Sequence, residues 1–523
     1  MNNLFHSFIN VSKASLISLA VFTSTQSLAV HDVQLTINTT QPLGQINKNV
    51  YGQFMEHLGR GIYEGIWVGK DSKIDNVNGF RTDVLAALKA LKVPVVRWPG
   101  GCFADEYHWR DGIGKVSERP ARVNTNWGGV IEPNTFGTHE FFELAEMLGA
   151  DTYVNGNLGT GSVQEMAEWM EYMTSDTDSS LGKLRRENGR EKPFKVDYFA
   201  VGNEAWGCGG HMRPEYYADL YRQYTSFVKA SGGVKTKFIA SGGQGELTEW
   251  TEVLSKNIPR KIDAIAHHYY TLPTANWGKK GMPFDFPESE WFSTIVNTRK
   301  VEKYLTDNLA ILEKNDPENK IAFYLDEWGT WYDVTEGDNP GFLYQQNTLR
   351  DAVVAAENFH IFHQYPKRIQ MTNIAQMINV LQAMILTDKE KMLLTPTYHV
   401  YKMYIPFQQA ESLPVNVEQA SFYSIGEQSI NAITASAAIG VDGKTYISLV
   451  NVDPTEKAEV TVRLDSGKIK GAKGQILTAA SMDAHNTFDK PNTIKPSAYS
   501  AKAKGGKLTF KLPAKSIVVV ALD

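Results

Sequence analysis

Between residues 48 and 373 this sequence repeats one pattern: a short apolar run, then a longer stretch with apolar residues three and four apart. Eight such runs stand at 50–56, 93–98, 151–155, 196–203, 237–241, 262–270, 321–327 and 368–373. The stretches between them include 84–92, 139–148, 163–173, 216–229 and 301–313, each at the period of a helix with one face buried. Parallel strands need a long crossover, and a helix after each strand supplies it. Eight strands are enough to close the sheet on itself. The expected fold class is therefore α/β, a (β/α)8 TIM barrel.

After Pro406 the pattern changes to strand-like runs between turn residues, at 432–437, 445–452, 458–464 and 516–522, which reads as a C-terminal β-sandwich domain. Segment 31–38 alternates polar and apolar residues and suits a strand added to that sandwich. A chain of 523 residues exceeds what one core organises. The expected division is a leader at 1–29, an N-terminal strand segment at 30–45, the barrel at 46–406 and the sandwich at 407–523. Residues 406–411 are too few for an independent linker, so the sandwich is expected to be a structural companion of the barrel.

A net charge of -5 with dispersed Lys and Arg offers no footprint for nucleic acid or an anionic membrane, and a neutral substrate fits it better. Lys13, the apolar run 14–22 and Ser27-Leu28-Ala29 match an export signal, which predicts a mature start near Val30 and a periplasmic or extracellular protein. The run is too short to span a bilayer. Cys102 and Cys208 are the only cysteines, and an even count in an exported chain favours pairing. No zinc-type spacing accompanies His57, His267 or His268, so they read as hydrogen-bonding residues of the barrel mouth, and neither metal nor cofactor is expected. Gly207-Cys208-Gly209-Gly210 and Ser241-Gly242-Gly243 lack the Lys and spacing of a phosphate cradle and read as tight loops.

Reactive residues of such barrels come from the C-terminal ends of different strands, which open on one face. The fourth run ends Gly202-Asn203-Glu204-Ala205-Trp206 and the seventh Leu325-Asp326-Glu327-Trp328-Gly329. Taken alone, either Glu is as readily explained as a solvated or salt-bridged strand end. Together they supply what glycosidic cleavage requires: one carboxyl group to protonate the leaving oxygen and one to attack or to activate water. Arg97, at another strand end, is suited to holding carboxylates from below, and Asp326 reads as structural.

The strand ends carry a closer resemblance. Gly52-Gln53-Phe54-Met55-Glu56-His57-Leu58-Gly59, Arg97-Trp98-Pro99-Gly100-Gly101-Cys102-Phe103, Asn157-Leu158-Gly159-Thr160-Gly161, Gly202-Asn203-Glu204, His268-Tyr269-Tyr270, Asp326-Glu327-Trp328-Gly329-Thr330-Trp331 and Asn373-Ile374-Ala375-Gln376 are similar to glycoside hydrolase family 51, the α-L-arabinofuranosidases. The likeness covers essentially the whole chain after the leader. It implies Glu204 as general acid then base and Glu327 as nucleophile, with retention of configuration. It also implies that Glu56, Cys102, Asn203, Tyr270 and Gln376 hold the furanose hydroxyls and that Trp331 forms an apolar wall. A carbohydrate partner such as arabinan, arabinoxylan or a derived oligosaccharide follows, and a homo-oligomer is compatible with it. The likeness puts Cys102 in the sugar pocket while the even count pairs it with Cys208, and both readings stay open here. The loop 276–292 carries Trp277, Phe284, Phe286 and Trp291 and is expected to shape the cleft. Rival readings are a β-xylosidase or endo-β-glucanase on the same scaffold, or a carbohydrate-binding protein without catalysis.

Overall fold

The computed structural model describes residues 30–505 and 507–523. The expected leader at 1–29 lies outside them. Eight parallel strands close into a barrel in chain order: Gly52–Phe54, Val95–Trp98, Asp151–Gly156, Tyr198–Val201, Lys237–Gln244, Ala264–Thr271, Ala322–Thr330 and Ile369–Ala375. They are called the first to eighth strands below. Ring closure is made by Gly52 to Phe54 pairing with Asn373 to Ala375 on one side and Gln53 and Phe54 with Val96 and Arg97 on the other.

The interior is packed solid. Val95, Tyr153, Tyr198, Ile239, Tyr324 and Met371 fill its lower layers together with small alanines at 200, 264 and 266. A side chain at Gly52 would have no room, since a Cβ there would stand 2.7 Å from Val95 Cγ1 and 2.5 Å from Asn373 Nδ2. The bottom of the barrel is thus a core and only its upper mouth can hold a ligand.

The helices follow the apolar period. Thr82–Leu91 turns Val84, Leu85, Leu88 and Leu91 inward and ends on Lys92 in the left-handed conformation. The helix before the seventh strand is longer than its apolar period indicates: it runs Glu288–Asn315 and starts within the expected cleft loop. Trp291 is therefore helical and fully buried, with its indole Nε1 donating to Val452 O at 2.8 Å. Phe286 lies buried under the Arg350 guanidinium at 3.6 Å, and Phe284 packs near His485. Of the four aromatics assigned to the cleft, three are packing residues; only Trp277 remains exposed beside the barrel mouth.

The C-terminal strands form a four-stranded sheet and a seven-stranded sheet. The N-terminal strand Val30–Ile37 lies in the first of them, parallel to Lys457–Leu464 and antiparallel to Val415–Gln419. The second sheet rests on the helix Leu349–Phe362, every residue of which is buried. Two histidines at its C-terminal end face the sheet: His360 Nε2 meets Ser448 Oγ at 2.8 Å, and Nδ1 of His363, which caps the helix, meets Ser436 Oγ at 2.8 Å. Burial drives the His360 imidazole down to about 3, so it stays neutral between its hydroxyl partners.

Trp291 should be a principal tie between barrel and sandwich. Trp291→Ala removes a fully buried indole and orphans the Val452 carbonyl, with an expected cost of about 3–5 kcal/mol, read as a lower midpoint of denaturant unfolding.

Candidate active site

Two glycines bring backbone into contact with two carboxylates at the barrel mouth. After the second strand the chain turns through Gly100 and Gly101; a Cβ would lie 2.6 Å from Glu56 Cγ at the first and 2.4 Å from Glu327 Oε1 at the second. Because neither has a side chain, Gly101 N–H and Phe103 N–H donate to Glu56 Oε1 at 3.0 and 3.1 Å. Trp127 Nε1 donates to the same oxygen at 3.0 Å and Gln376 Nε2 to Glu56 Oε2 at 3.0 Å. Burial, and next the charge of Glu327, raise the Glu56 carboxyl to about 7 against the pull of these donors.

On the seventh strand, successive side chains would ordinarily point to opposite faces. The register against the sixth strand slips at this point: His267 pairs with Leu325 but His268 with Glu327, so Asp326 is an extra residue. This bulge lets Asp326 and Glu327 both face the barrel interior. Glu327 Oε1 accepts from Arg97 Nη1 at 2.8 Å and Oε2 from Tyr270 OH at 2.9 Å. Asp326 lies 3.3 Å from Arg97 Nε and accepts Tyr153 OH at 2.6 Å. Burial acts against its charge, but Arg97, His268 and Tyr153 hold Asp326 down at about 2.

Glu204 follows the fourth strand with a left-handed backbone, φ 39. Its Oε1 lies 2.7 Å from His268 Nδ1. One carboxylate oxygen from each of Glu204 and Glu327 and one ring nitrogen of His268 all lie within 4.8 Å of one another. Burial lifts the Glu204 carboxyl above the ordinary range; the His268 hydrogen bond opposes this and the charge of Glu327 adds to it.

His268 is the residue whose weight the sequence did not show. Its Nδ1 stands between Glu204 and Glu327, the latter at 3.4 Å, and its Nε2 lies 3.2 Å from Asp326 Oδ1. Burial works against its charge, yet Glu327, Asp326 and Glu204 lift it to about 10.

Seven of the eight residues expected from sequence line one small cavity: Glu56, Cys102, Glu204, Tyr270, Glu327, Trp331 and Gln376. The eighth, Asn203, is buried beside it; its Oδ1 accepts from Arg97 Nη2 at 2.6 Å and its Nδ2 faces Cys208 Sγ at 3.8 Å. Cys102 forms a disulfide with Cys208 and still lines the cavity, so pairing does not remove it from there. Trp277 and Trp331 meet edge to face at 5.3 Å, and Trp331 meets Tyr270 at 5.1 Å, making one aromatic wall.

The cavity is also lined by Trp127, which sequence reasoning missed. It sits in the turn between Arg122–Val123 and Ile131–Glu132, before Gly128 and Gly129, both at positive φ. The hairpin is fastened to the first strand's end by Asn124 Nδ2 on His57 O at 2.6 Å and by Glu132 against His57 Nδ1 at 3.1 Å. A Trp ahead of a diglycine turn is the signal that could have marked it.

Comparison with known proteins agrees with this geometry. Residues 87–281 match the family profile described as alpha-L-arabinofuranosidase 1 domain, and residues 326–516 that of the alpha-L-arabinofuranosidase C-terminal domain. An intracellular exo-alpha-L-arabinofuranosidase of Bacteroides ovatus is 48% identical over 97% of this chain and 99% of its own length. The chain belongs to glycoside hydrolase family 51, the α-L-arabinofuranosidases. The crystal structure of the GH51 arabinofuranosidase from Xanthomonas axonopodis pv. citri superposes with a TM-score of 0.93 at 48% identity, covering 94% of this chain and all of that one. The Thermotoga maritima α-L-arabinofuranosidase in its arabinose complex gives 0.82 at 28% identity, over 94% and 99%.

The same comparison corrects the expectation of export. The Bacteroides relative, which aligns over nearly all of both chains, is named intracellular, so a secreted or periplasmic protein with a signal peptide is not supported. A basic residue, a short apolar run and a few small residues are a compositional pattern, and such a pattern specifies neither a fold nor a destination by itself.

The elevated His268 has a measurable consequence. Because its folded value exceeds the ordinary 6.5, its contribution to stability is complete below about pH 6.5 and is lost as pH rises through about 10. The stability gap between the parent protein and His268→Gln should be widest at pH 6 and close progressively toward pH 10 in denaturant titrations. A gap independent of pH over that range would mean the imidazole is neutral.

Proposed function

We propose that this enzyme is a retaining, exo-acting hydrolase that releases terminal non-reducing α-L-arabinofuranosyl residues. The carrying observation is the spacing of Glu204 and Glu327, whose nearest oxygens lie within 4.8 Å. Retaining glycosidases hold their carboxyl groups about 5–5.5 Å apart, whereas inverting ones leave about 6.5–9.5 Å for a water molecule.

In this reading Glu327 attacks the anomeric carbon while Glu204 gives its proton to the departing oxygen, forming the C–O bond to Glu327 as the glycosidic bond breaks. Burial and the Glu327 charge favour the protonated form of Glu204 in the resting enzyme. Ester formation removes that charge, so the Glu204 carboxyl drops and can take a proton from the incoming water, whose oxygen then displaces Glu327. Arg97 and Tyr270 fix both oxygens of the nucleophile, and His268 holds it in register with the acid. Glu56, Asn203 and Gln376 are the hydroxyl partners, Cys102 and Tyr270 complete the pocket, and Trp331 is its apolar wall.

The exo mode is supported by the cavity. It is small, about 50 Å³, and is lined by Trp127, Trp331, Tyr270 and both glutamates, which suits one terminal ring better than a run of sugars. Since the Bacteroides ovatus relative is named intracellular, short arabinose-bearing oligosaccharides are the substrate class we assign.

The test is hydrolysis of p-nitrophenyl α-L-arabinofuranoside beside the β-D-xylopyranoside and β-D-glucopyranoside, with methanol as a second acceptor. Selective arabinofuranoside cleavage, an α-configured methyl product by NMR and loss of turnover to background in Glu327→Ala are expected. A β-configured product would reject the retaining mechanism, and preference for xyloside or glucoside would reject the sugar.

A further inference from the structure

Glu204 has a left-handed backbone, and its φ of 39 must be imposed by its surroundings. The chain is held on both sides of it. On the upstream side Asn203 N–H donates to Asp105 Oδ2 at 3.0 Å, and on the downstream side Ala205 N–H donates to Ser241 Oγ at 3.2 Å. The chain then curls back, with Gly207 N–H and Gly209 N–H on Glu204 O at 2.7 and 3.1 Å. Gly209 returns so close that a Cβ there would stand 1.9 Å from Asn203 O and 2.8 Å from Asp105 Oδ2.

Asp105 is buried and is placed as a hub, not as a surface charge. Its Oδ1 accepts Leu158 N–H at 2.7 Å and Gly159 N–H at 3.0 Å, while its own carbonyl accepts Thr160 N–H at 2.9 Å. Three backbone N–H groups, converging from the loops after the third and fourth strands, take the place of a counter-ion. Three residues upstream, Cys102 ties the same loop to Cys208 by the disulfide.

We infer that Asp105, with Ser241 opposite, is a positioning residue that fixes the acid/base Glu204 in its strained conformation; this rests on the reading of Glu204 as the acid. Neither residue lines the cavity. Their effect is on where the proton is delivered, and a displacement of about 1 Å at a reacting group is enough to cost about 10²-fold.

Asp105→Asn keeps the shape but turns an NH2 group toward either Asn203 N–H or the Leu158 and Gly159 pair, whichever way the amide lies. A misplaced acid hurts substrates with poor leaving groups and spares those that depart unaided. For Asp105→Asn we expect kcat/KM on methyl α-L-arabinofuranoside to fall about 10²-fold, that on the p-nitrophenyl glycoside to fall about threefold or less, and azide to restore part of the p-nitrophenyl turnover. Ser241→Ala, which removes the other tether, should show the same selectivity, and it decides alone if circular dichroism finds Asp105→Asn unfolded. Equal losses on both substrates, or no loss, overturn the inference. Glu204→Ala run in parallel separates the two levels: if it lacks the leaving-group selectivity and azide rescue, the assignment of the acid itself fails; if it shows both and the tether variants do not, only the positioning role fails.

Discussion

Burial of acid at the barrel mouth is the constraint on which the rest depends. Glu56, Asp105, Glu204, Asp326 and Glu327 share this region, among the described residues, with only Arg97 and His268 as buried cations in contact with them. A carboxylate taken from water without compensation costs several kcal/mol, so every one of the five must be paired, solvated by N–H groups or protonated. The structure uses all three means. Asp326 and Glu327 take Arg97, Asp105 takes backbone amides, and burial lifts Glu204, Glu56 and, against its amides, Asp105 toward their protonated forms. Arg97 is itself enclosed by the rings of Phe54 and Tyr153, 4.5 and 5.6 Å from its guanidinium carbon, which cover its faces while its edge nitrogens serve Asp326, Glu327 and Asn203. A lysine could not make these three planar contacts at once.

The excess of negative charge separates the two glutamates chemically, although both sit in the same mouth. Glu327 has an arginine and a phenol on its oxygens; Glu204 has only the shared imidazole. Burial lifts the Glu204 carboxyl, which suits it to the acid role in the proposed mechanism. The bulge at Asp326 makes the shared Arg97 contact possible, because without the extra residue either Asp326 or Glu327 would point away from Arg97.

The parts of this arrangement legible in the sequence are those with a local cause. Apolar runs marked the eight barrel strands to within a few residues, because a strand surrounded by helices and core must be apolar on both faces. Glu204 and Glu327 could be picked out because strand ends in this fold all open on one face. The features that stayed hidden are set by distant partners. Trp291 among charged residues reads the same whether it stacks on sugar or packs on a second domain, and only the position of Val452 decides. Trp127 enters the pocket from a hairpin more than 20 residues past its strand, as its number beside Trp98 shows. An inserted residue such as Asp326 leaves no mark in a continuous apolar run. The pairing of Cys102 with Cys208 depended on two loops whose separation is a property of the closed barrel.

Fold and acid pair together still leave the mode of action open, since the same barrel with two glutamates serves an open cleft as well as a closed pocket. What narrows it here is the loop architecture around the mouth. The hairpin at 122–132 is fastened through Asn124 and Glu132 to His57, next to Glu56, and its Trp127 donates to Glu56 itself. Trp331 continues directly from the seventh strand that presents Glu327. Both tryptophans are thus tied in sequence or by hydrogen bonds to the residues that hold the ring, and a chain passing through would have to displace one of them. In the proposed exo reading a terminal sugar need displace neither, so the loops that carry Trp127 and Trp331 suit cleavage at chain ends.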